Sequence, residues 1–506
     1  MRTSEGPQGA NEGYWVTRTW WLLGILLLVR VGYLLIFPVD LAGDESYYWD
    51  WSRRLDWAYY SKPPLVAWII WLGTLGGDTL FFLKLPAALL NVGTTAVLGL
   101  LARRLYSARA GFWTIVASAT MPGTILSGMT MTIDAPLLFC WATALLCTAH
   151  SLGLTLRSNQ THQAAWGIAA AVAVGCGLLA KLSMGIFWIG LVFLWLFPGQ
   201  QHQRPSLKRW IPLAILSACS LIPFLIWNWR RHWITFEHTS TSFGVERWSF
   251  LDAFGRGWEY VGSQLGALHP IWWVAMMIIA LLSILRWRTL DPRTRFLAAF
   301  STPFVLGALL LAFYQRVQPN WPAAFYLAST VILGCLLSGQ KPFRTHNTPS
   351  LDTSGQLPLW GKIGTWLGIT LVVLLYITPF ALERTGYAGH RMDPFARIRG
   401  WQSFAQEVQQ LREQTFSTPT SDSHFIWVGG HRYPTSQLAF YLPDQPRMYR
   451  YEPSGLIYSQ YEMWPSPAQD GLAGHNALLL LPPELVEEQL PEWSQYFERV
   501  TPLGLV

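Results

Sequence analysis

Eleven long apolar stretches recur along this chain, near 19–38, 84–102, 110–127, 133–150, 165–180, 184–198, 210–229, 268–285, 296–314, 320–338 and 360–382. A helix needs about 20 mostly apolar residues to cross the hydrocarbon layer. Inside that layer each backbone N–H and C=O must find its partner within the protein. Such a chain is confined to a bundle of membrane-spanning helices. Composition agrees: of 506 residues 51% are hydrophobic and 13% charged, about half the charge of an ordinary soluble domain. A soluble enzyme around one core, a disordered scaffold and a disulfide-stapled secreted module are excluded. The net charge of +7 would suit nucleic acid, but the arginines lie scattered between apolar runs, where they report orientation instead. No nucleic-acid partner is expected.

One further apolar stretch, Leu65–Leu75, opens with Pro63-Pro64, closes with Gly76-Gly77-Asp78, and is too short to cross. The spacing predicts an interfacial or re-entrant helix. Charge supports that reading. Arg103, Arg104 and Arg109 share one short connection, and Arg204, Lys208 and Arg209 a second. Arg286, Arg288, Arg293 and Arg295 share a third, and Lys341, Arg344 and Lys362 a fourth. With a cytoplasmic N-terminus and a non-crossing 65–75, all four lie on the cytoplasmic side, as the positive-inside rule requires. Val39–Pro64, Arg230–Leu265 and the tail from Glu383 then lie on the outer side. The first apolar segment is long and lacks a small-residue cleavage site, so it reads as an anchor. The cysteines Cys140, Cys147, Cys176, Cys219 and Cys335 fall inside predicted spans, so neither structural disulfides nor a cysteine metal site is expected.

From Glu383 the texture changes. Trp401, Phe404, Ala405, Val408 and Leu411 recur at helical spacing, and His424–Val428 and Ala477–Leu481 read as short buried strands. The expected architecture is a polytopic α-helical membrane protein of about 11 transmembrane helices plus interfacial helices. It divides into a transmembrane part, 1–382, and a small extracytoplasmic α/β domain, 383–506. The linker Gly339–Pro358 is polar and without a motif.

Charges are scarce, so their clustering carries information. Asp44 and Glu45 follow Gly43 just beyond the first span, where partial desolvation raises a carboxylate's pKa and improves it as a proton acceptor. The bland alternative is a solvated acidic turn. Asp134 begins a later span on the same outer side; ionisable residues at such positions are costly and usually face a cavity. It also suits a helix N-terminus ahead of Pro136. Lys62, fixed by two following prolines, is a candidate point charge for a phosphate, the alternative being a snorkelling lysine. Arg230 and Arg231, directly after a span, are further candidates for the phosphate. Tyr47 and Tyr48, with Gln318, Asn320 and Trp321 of an outer turn, are candidates for sugar or acceptor contacts. In the tail Arg397, Arg399, His431 and Arg432 could meet an acceptor, with ordinary surface charge the more economical reading. No phosphate loop, H-E-x-x-H, G-x-S-x-G or dinucleotide glycine pattern occurs, which argues against ATP-driven transport and zinc proteolysis.

Carboxylates and a fixed cation converging at headgroup depth suit a lipid-linked phosphosugar. Its tail would lie among the spans, its phosphate on the cation and its anomeric carbon before a carboxylate base. One displacement would invert the anomeric centre. Glu45 and Asp134 could also hold a divalent metal to help the phosphate depart.

The strings Gly43-Asp44-Glu45-Ser46-Tyr47-Tyr48-Trp49-Asp50-Trp51-Ser52 and Tyr59-Tyr60-Ser61-Lys62-Pro63-Pro64-Leu65-Val66-Ala67-Trp68 resemble the bacterial family 39-like glycosyltransferases. These stand with the protein O-mannosyltransferases and the lipid A aminoarabinose transferase in the GT-C membrane superfamily. Thr132-Ile133-Asp134-Ala135-Pro136, Val317-Gln318-Pro319-Asn320-Trp321-Pro322 and Arg399-Gly400-Trp401 support it. The resemblance implies a polyprenyl-phosphate-linked sugar as donor, transfer on the extracytoplasmic face of a bacterial cell membrane, and two interfacial helices in the first outer loop. It implies Asp44 as the base and Asp134 as the second acid. Many relatives carry His before the proline pair; Lys62 resembles the aminoarabinose branch, where lysine meets the donor phosphate. The expected activity is an inverting glycosyltransferase with lipid A, a surface glycan or a protein hydroxyl as acceptor. The competing readings are a transporter or flippase of polyprenyl-linked sugars and a non-catalytic assembly subunit. A transporter would carry ionisable residues and Gly/Pro breaks near mid-membrane, often with repeat symmetry; here the acids lie at span ends on one side and no repeat is seen.

Overall fold

The computed structural model describes residues 7–156, 160–199, 205–241, 249–343, 357–416 and 424–505. Arg204, Arg344 and most of the 339–358 linker lie outside them.

The first helix, α1 (Pro7–Leu34), is followed by two ten-residue helices, α2 (Gly43–Ser52) and α3 (Leu65–Thr74). The bundle continues through α4 (Leu80–Leu105), α5 (Ala108–Ala119), α6 (Pro122–Met129), α7 (Asp134–Ser151), α8 (Gln163–Ala180) and α9 (Ile186–Leu196). Next come α10 (Leu207–Ala218), α11 (Ile222–Arg230), α12 (Ile234–Thr241), α13 (Phe250–Leu268) and α14 (Pro270–Leu285). The helices α15 (Pro292–Ala299), α16 (Thr302–Leu311), α17 (Ala323–Leu337) and α18 (Leu359–Thr385) complete it. Beyond lie α19 (Trp401–Thr415), β1 (His424–Gly429), α20 (Arg432–Tyr441), β2 (Met448–Tyr451), β3 (Asn476–Leu480) and α21 (Val486–Trp493).

Glu12–Leu34, Leu80–Leu105, Gln163–Ala180, Leu207–Arg230, Pro292–Leu311 and Leu359–Thr385 are each long and apolar enough to cross a membrane. Two pairs, α6–α7 bent by 118° and α13–α14 bent by 112°, raise the number to eight by length and composition. Leu182–Leu196 and Ala323–Leu337 are shorter apolar helices. Each apolar stretch read from the sequence coincides with one of these helices or a consecutive pair. Large apolar side chains such as Trp20, Trp21, Leu28, Leu285 and Trp366 are exposed, as a lipid-facing surface requires and a watery one would not tolerate. With ten residues α3 is about 15 Å long, half the hydrocarbon layer.

One expectation needs correcting. Arg230–Leu265 reads as a loop, yet most of it from Phe250 on is the 19-residue α13. Ala253, Gly257, Tyr260, Gln264 and Leu268 form its buried stripe, while Phe250, Leu251, Phe254 and Trp258 face outward. Asp252, Arg256 and Glu259 dilute its hydropathy without breaking the period of 3.6, so it is an amphipathic helix.

The two ends of the bundle differ. At one end the basic connections are tied together: Arg286 donates to the Phe343 carbonyl, Arg293 to that of Leu154, and the Leu156 amide to that of Arg104. Arg209 reaches Ser151 and the Gln163 carbonyl, and Arg103 pairs with Glu12 of α1. The four groups of positive charge thus share an end wherever their residues are described. From there α4, α7 and α8 run to the opposite end, where their other termini meet α2 and α3, and α17 begins just after Asn320, which bonds Asp134 of α7.

At that opposite end sits the C-terminal region, whose sheet is three-stranded and parallel in the order β2-β1-β3, with Trp427 opposite Tyr449 and Leu479. The expected amphipathic helix is α19 and the two expected strands are β1 and β3; β2 and α20 were not foreseen. Parallel neighbours need a crossover, and α20 supplies it between β1 and β2. The helix packs on α2 through Ser46–Ser436 (2.8 Å), Gln437 to the Leu41 carbonyl (2.8 Å) and the Leu41 amide to Tyr441 (2.8 Å).

Candidate active site

The site is built around α2. Its two early acids suit the positive end of a helix, and Glu45 caps the first turn by accepting from the Ala42 amide at 2.9 Å. Held between the bundle and α20, α2 is buried from Glu45 to Ser52. Asp44 alone of its acids stays open, its side chain 44% exposed. The Tyr433 hydroxyl donates to it at 3.0 Å and the Arg432 guanidinium lies 3.9 Å away.

After α2 the chain folds back on Trp51, whose ring stacks on Tyr59 at 4.5 Å. Tyr59 and Lys62 exchange both backbone hydrogen bonds, and Pro63-Pro64 follow. This tight turn delivers the Lys62 ammonium among Lys181, Asp44, Asp134 and Arg432. Burial, with Lys181 next to it, pushes the Lys62 pKa down. In such a setting a nearby anion would favour the charged form of the lysine.

Asp134 stands at the first turn of α7, directly after the sharp α6–α7 reversal. Lys181 donates to it at 2.9 Å and the Asn320 amide at 2.5 Å. Tyr48 is buried, and burial together with Asp44, Tyr433 and Asp134 holds its phenol well above the usual range. It remains a neutral hydroxyl between the two acids. His238 of α12 lies against the Tyr60 ring at 4.7 Å. Burial, then Lys62 and Arg432, push the pKa of this histidine down.

Asp44, Tyr48, Lys62, Asp134 and Asn320 therefore converge. Most of the other expected residues do not join them. Glu45 is fully buried and committed: it accepts from the Met131 amide at 2.7 Å and pairs with buried Lys84 at 3.6 Å. It is a positioning residue that ties α2 to α4 and to the loop before Asp134. Since Glu45 and Asp134 are each neutralised by a lysine of their own, they do not form a pair fit for a divalent metal. Among the described residues no three His, Cys, Asp or Glu side chains converge on a metal-sized site. Tyr47 is buried with its hydroxyl accepting from the Gln460 amide at 2.5 Å. Arg231 pairs with Asp56 at 3.8 Å and covers the Trp227 ring at 4.3 Å, while Arg230 is exposed. Neither is among the foremost charges acting on Lys62. Gln318 is exposed, and its carbonyl closes the turn by accepting from the Trp321 amide; Trp321 packs beside Tyr260, Ala312 and Val317. Arg399 binds Asp393, Glu383 and the Pro38 and Pro379 carbonyls, a clasp between α18 and the chain after α1.

Three participants escaped the reading of the sequence: Lys181, His238 and Tyr433. Lys181 left a signal, for it is the only charged residue between Arg157 and Arg204. Arg432, weighed there as surface charge, is in the site.

A helical membrane bundle with acids at the ends of two helices, topped by a small parallel sheet, is a fold of the GT-C type. Residues 61–227 match the family described as dolichyl-phosphate-mannose-protein mannosyltransferase. The lipid A galacturonosyltransferase RgtD of Rhizobium johnstonii is 31% identical over 316 residues, 61% of this chain and 63% of that relative. The match thus spans less than two thirds of the relative's length. ArnT from Cupriavidus metallidurans has the same fold over nearly the whole chain. Its apo structure superposes with a TM-score of 0.62 at 17% identity, covering 94% of this chain and 95% of ArnT. Its structure bound to undecaprenyl phosphate gives 0.63 at 15% identity, covering 94% of each chain.

Proposed function

We propose that this protein is an inverting glycosyltransferase that moves a sugar from a polyprenyl-phosphate donor to a hydroxyl of a lipid A-type glycolipid, on the extracytoplasmic face of a bacterial cell membrane. The observation that supports this reading is that Lys62 lies within electrostatic reach of both Asp44 and Asp134, with buried Tyr48 feeling the same two acids, at the end of an apolar bundle. Lys62 holds the phosphate. Asp44, the exposed acid, takes the proton of the acceptor hydroxyl; that oxygen attacks the anomeric carbon and the bond to the phosphate oxygen breaks. The polyprenyl phosphate leaves with its new charge beside Lys62 and Lys181. Asp134, held by Lys181 and Asn320, orients the sugar from the far side. The acceptor class is carried over from the name of RgtD, and the donor class from ArnT's bound lipid. On this reading 1–382 houses the chemistry and 383–506 roofs it. The cluster's position at one end of the bundle, opposite the basic connections, favours an enzyme over a flippase.

The test is transfer from a radiolabelled polyprenyl-phosphate sugar to extracted membrane lipids, with wild type against Asp44→Asn. Transfer by wild type and its collapse in the variant support the proposal; full activity of the variant removes the base.

A further inference from the structure

The C-terminal region does more than cover the site. Arg432 is the first residue of α20, and its guanidinium lies 5.2 Å over the Tyr47 ring and 4.9 Å over that of Tyr433. Its Nε is buried without a hydrogen-bond partner, and its nearest carboxylate, Asp44, stands at 3.9 Å, beyond hydrogen-bond distance. Side chains from three other segments feel its charge: Lys62, His238 and Tyr48. Lys181 is already matched by Asp134, while Lys62 and Arg432 both act with Asp44. The two aromatic faces constrain the guanidinium, and a planar fork suits two oxygens of one phosphate. The adjacent Tyr433 is clamped as well. A Cβ added at Gly43 would run into the Tyr433 ring, so only glycine at the start of α2 lets that ring, and Arg432 with it, come this close.

We infer that Arg432 is a ligand of the donor's phosphate, delivered to the active centre by the C-terminal region and set in place by the Gly43–Tyr433 contact. This rests on the function proposed above. Arg432 meets the phosphate from the roof while Lys62 meets it from the membrane side, so the leaving group is gripped between the two parts of the chain. As the donor enters, its charge draws the guanidinium away from Asp44 and frees that acid for the acceptor hydroxyl.

The experiment is binding of undecaprenyl phosphate to the purified full-length protein in detergent, with a zwitterionic lipid as control. Wild type is compared with Arg432→Gln, Arg432→Lys and Lys62→Ala, and thermal unfolding is followed in parallel. Arg432→Gln is expected to weaken binding about tenfold or more, with Arg432→Lys in between because charge without the fork restores part of the grip. Binding by wild type together with undiminished binding by Arg432→Gln overturns the inference and leaves the proposed function standing. Failure of wild type to prefer undecaprenyl phosphate over the control overturns the function itself, and the inference with it. If Arg432→Gln unfolds early, Arg432→Lys carries the test: wild-type affinity in that variant shows that no fork-like contact with phosphate exists.

Discussion

The Lys181–Asp134 pair offers the sharpest test of how this site is held. The two groups are 2.9 Å apart, with side chains 20% and 12% exposed. At an effective dielectric near 20, that separation is an attraction of about 6 kcal/mol. Desolvation of both partners offsets more than half, so a net coupling of about 2–3 kcal/mol is expected. Removing either partner alone costs more than the pair is worth, because the survivor is left partly buried. Asp134 would still accept from Asn320, whereas Lys181 would be left beside Lys62. Asp134→Asn should therefore destabilise at least as much as Lys181→Met. The double variant should recover part of the loss, since a neutral pair replaces an unpaired charge. Denaturation of all four proteins in one detergent gives the cycle. A coupling within about 0.5 kcal/mol of zero, the additivity expected of independent sites, would refute the claim that these residues act as a pair.

Three further outcomes follow from the same geometry. Asp44→Asn should leave thermal unfolding nearly unchanged but lower turnover by about 10²- to 10⁴-fold, read in the lipid transfer assay. Glu45→Gln should do the reverse in kind: it strands buried Lys84 and should cost about 3–5 kcal/mol of stability, with turnover per folded molecule largely kept. Because burial and Lys181 lower the Lys62 pKa, its ammonium loses its proton at a lower pH than an ordinary lysine. Donor affinity should then fall as pH rises into the alkaline range, and Lys62→Arg should flatten that fall; an unchanged profile would exclude Lys62 from the phosphate site.

Much of this was legible in the chain because membranes impose strong rules. Apolar length marked the spans, and arginine placement put Asp44, Lys62 and Asp134 at one end. What stayed hidden depends on contacts between distant segments. Glu45 looks as available as Asp44 in sequence, and only folding shows that the i+1 side chain of a helix turns inward, here to Met131 and Lys84. Lys181 was masked by the apolar runs on both sides. Arg432 sits in an ordinary polar stretch, and nothing local tells that it is docked on α2 almost 400 positions earlier. The helix α13 was hidden for a different reason: hydropathy averages over both faces of a helix, and its charged residues cancel its apolar ones.

The docking of α20 on α2 also bears on how the protein comes into being. A ribosome makes α2 among the first elements and α20 among the last, so for most of synthesis the aromatic flank of α2 has no lid and Asp44 has no neighbouring Tyr433. On the proposed function, such a precursor holds its base apart from the groups that govern it. Only a finished polypeptide has the complete pocket, and on the same reading a chain cut short before residue 432 would be an inactive bundle.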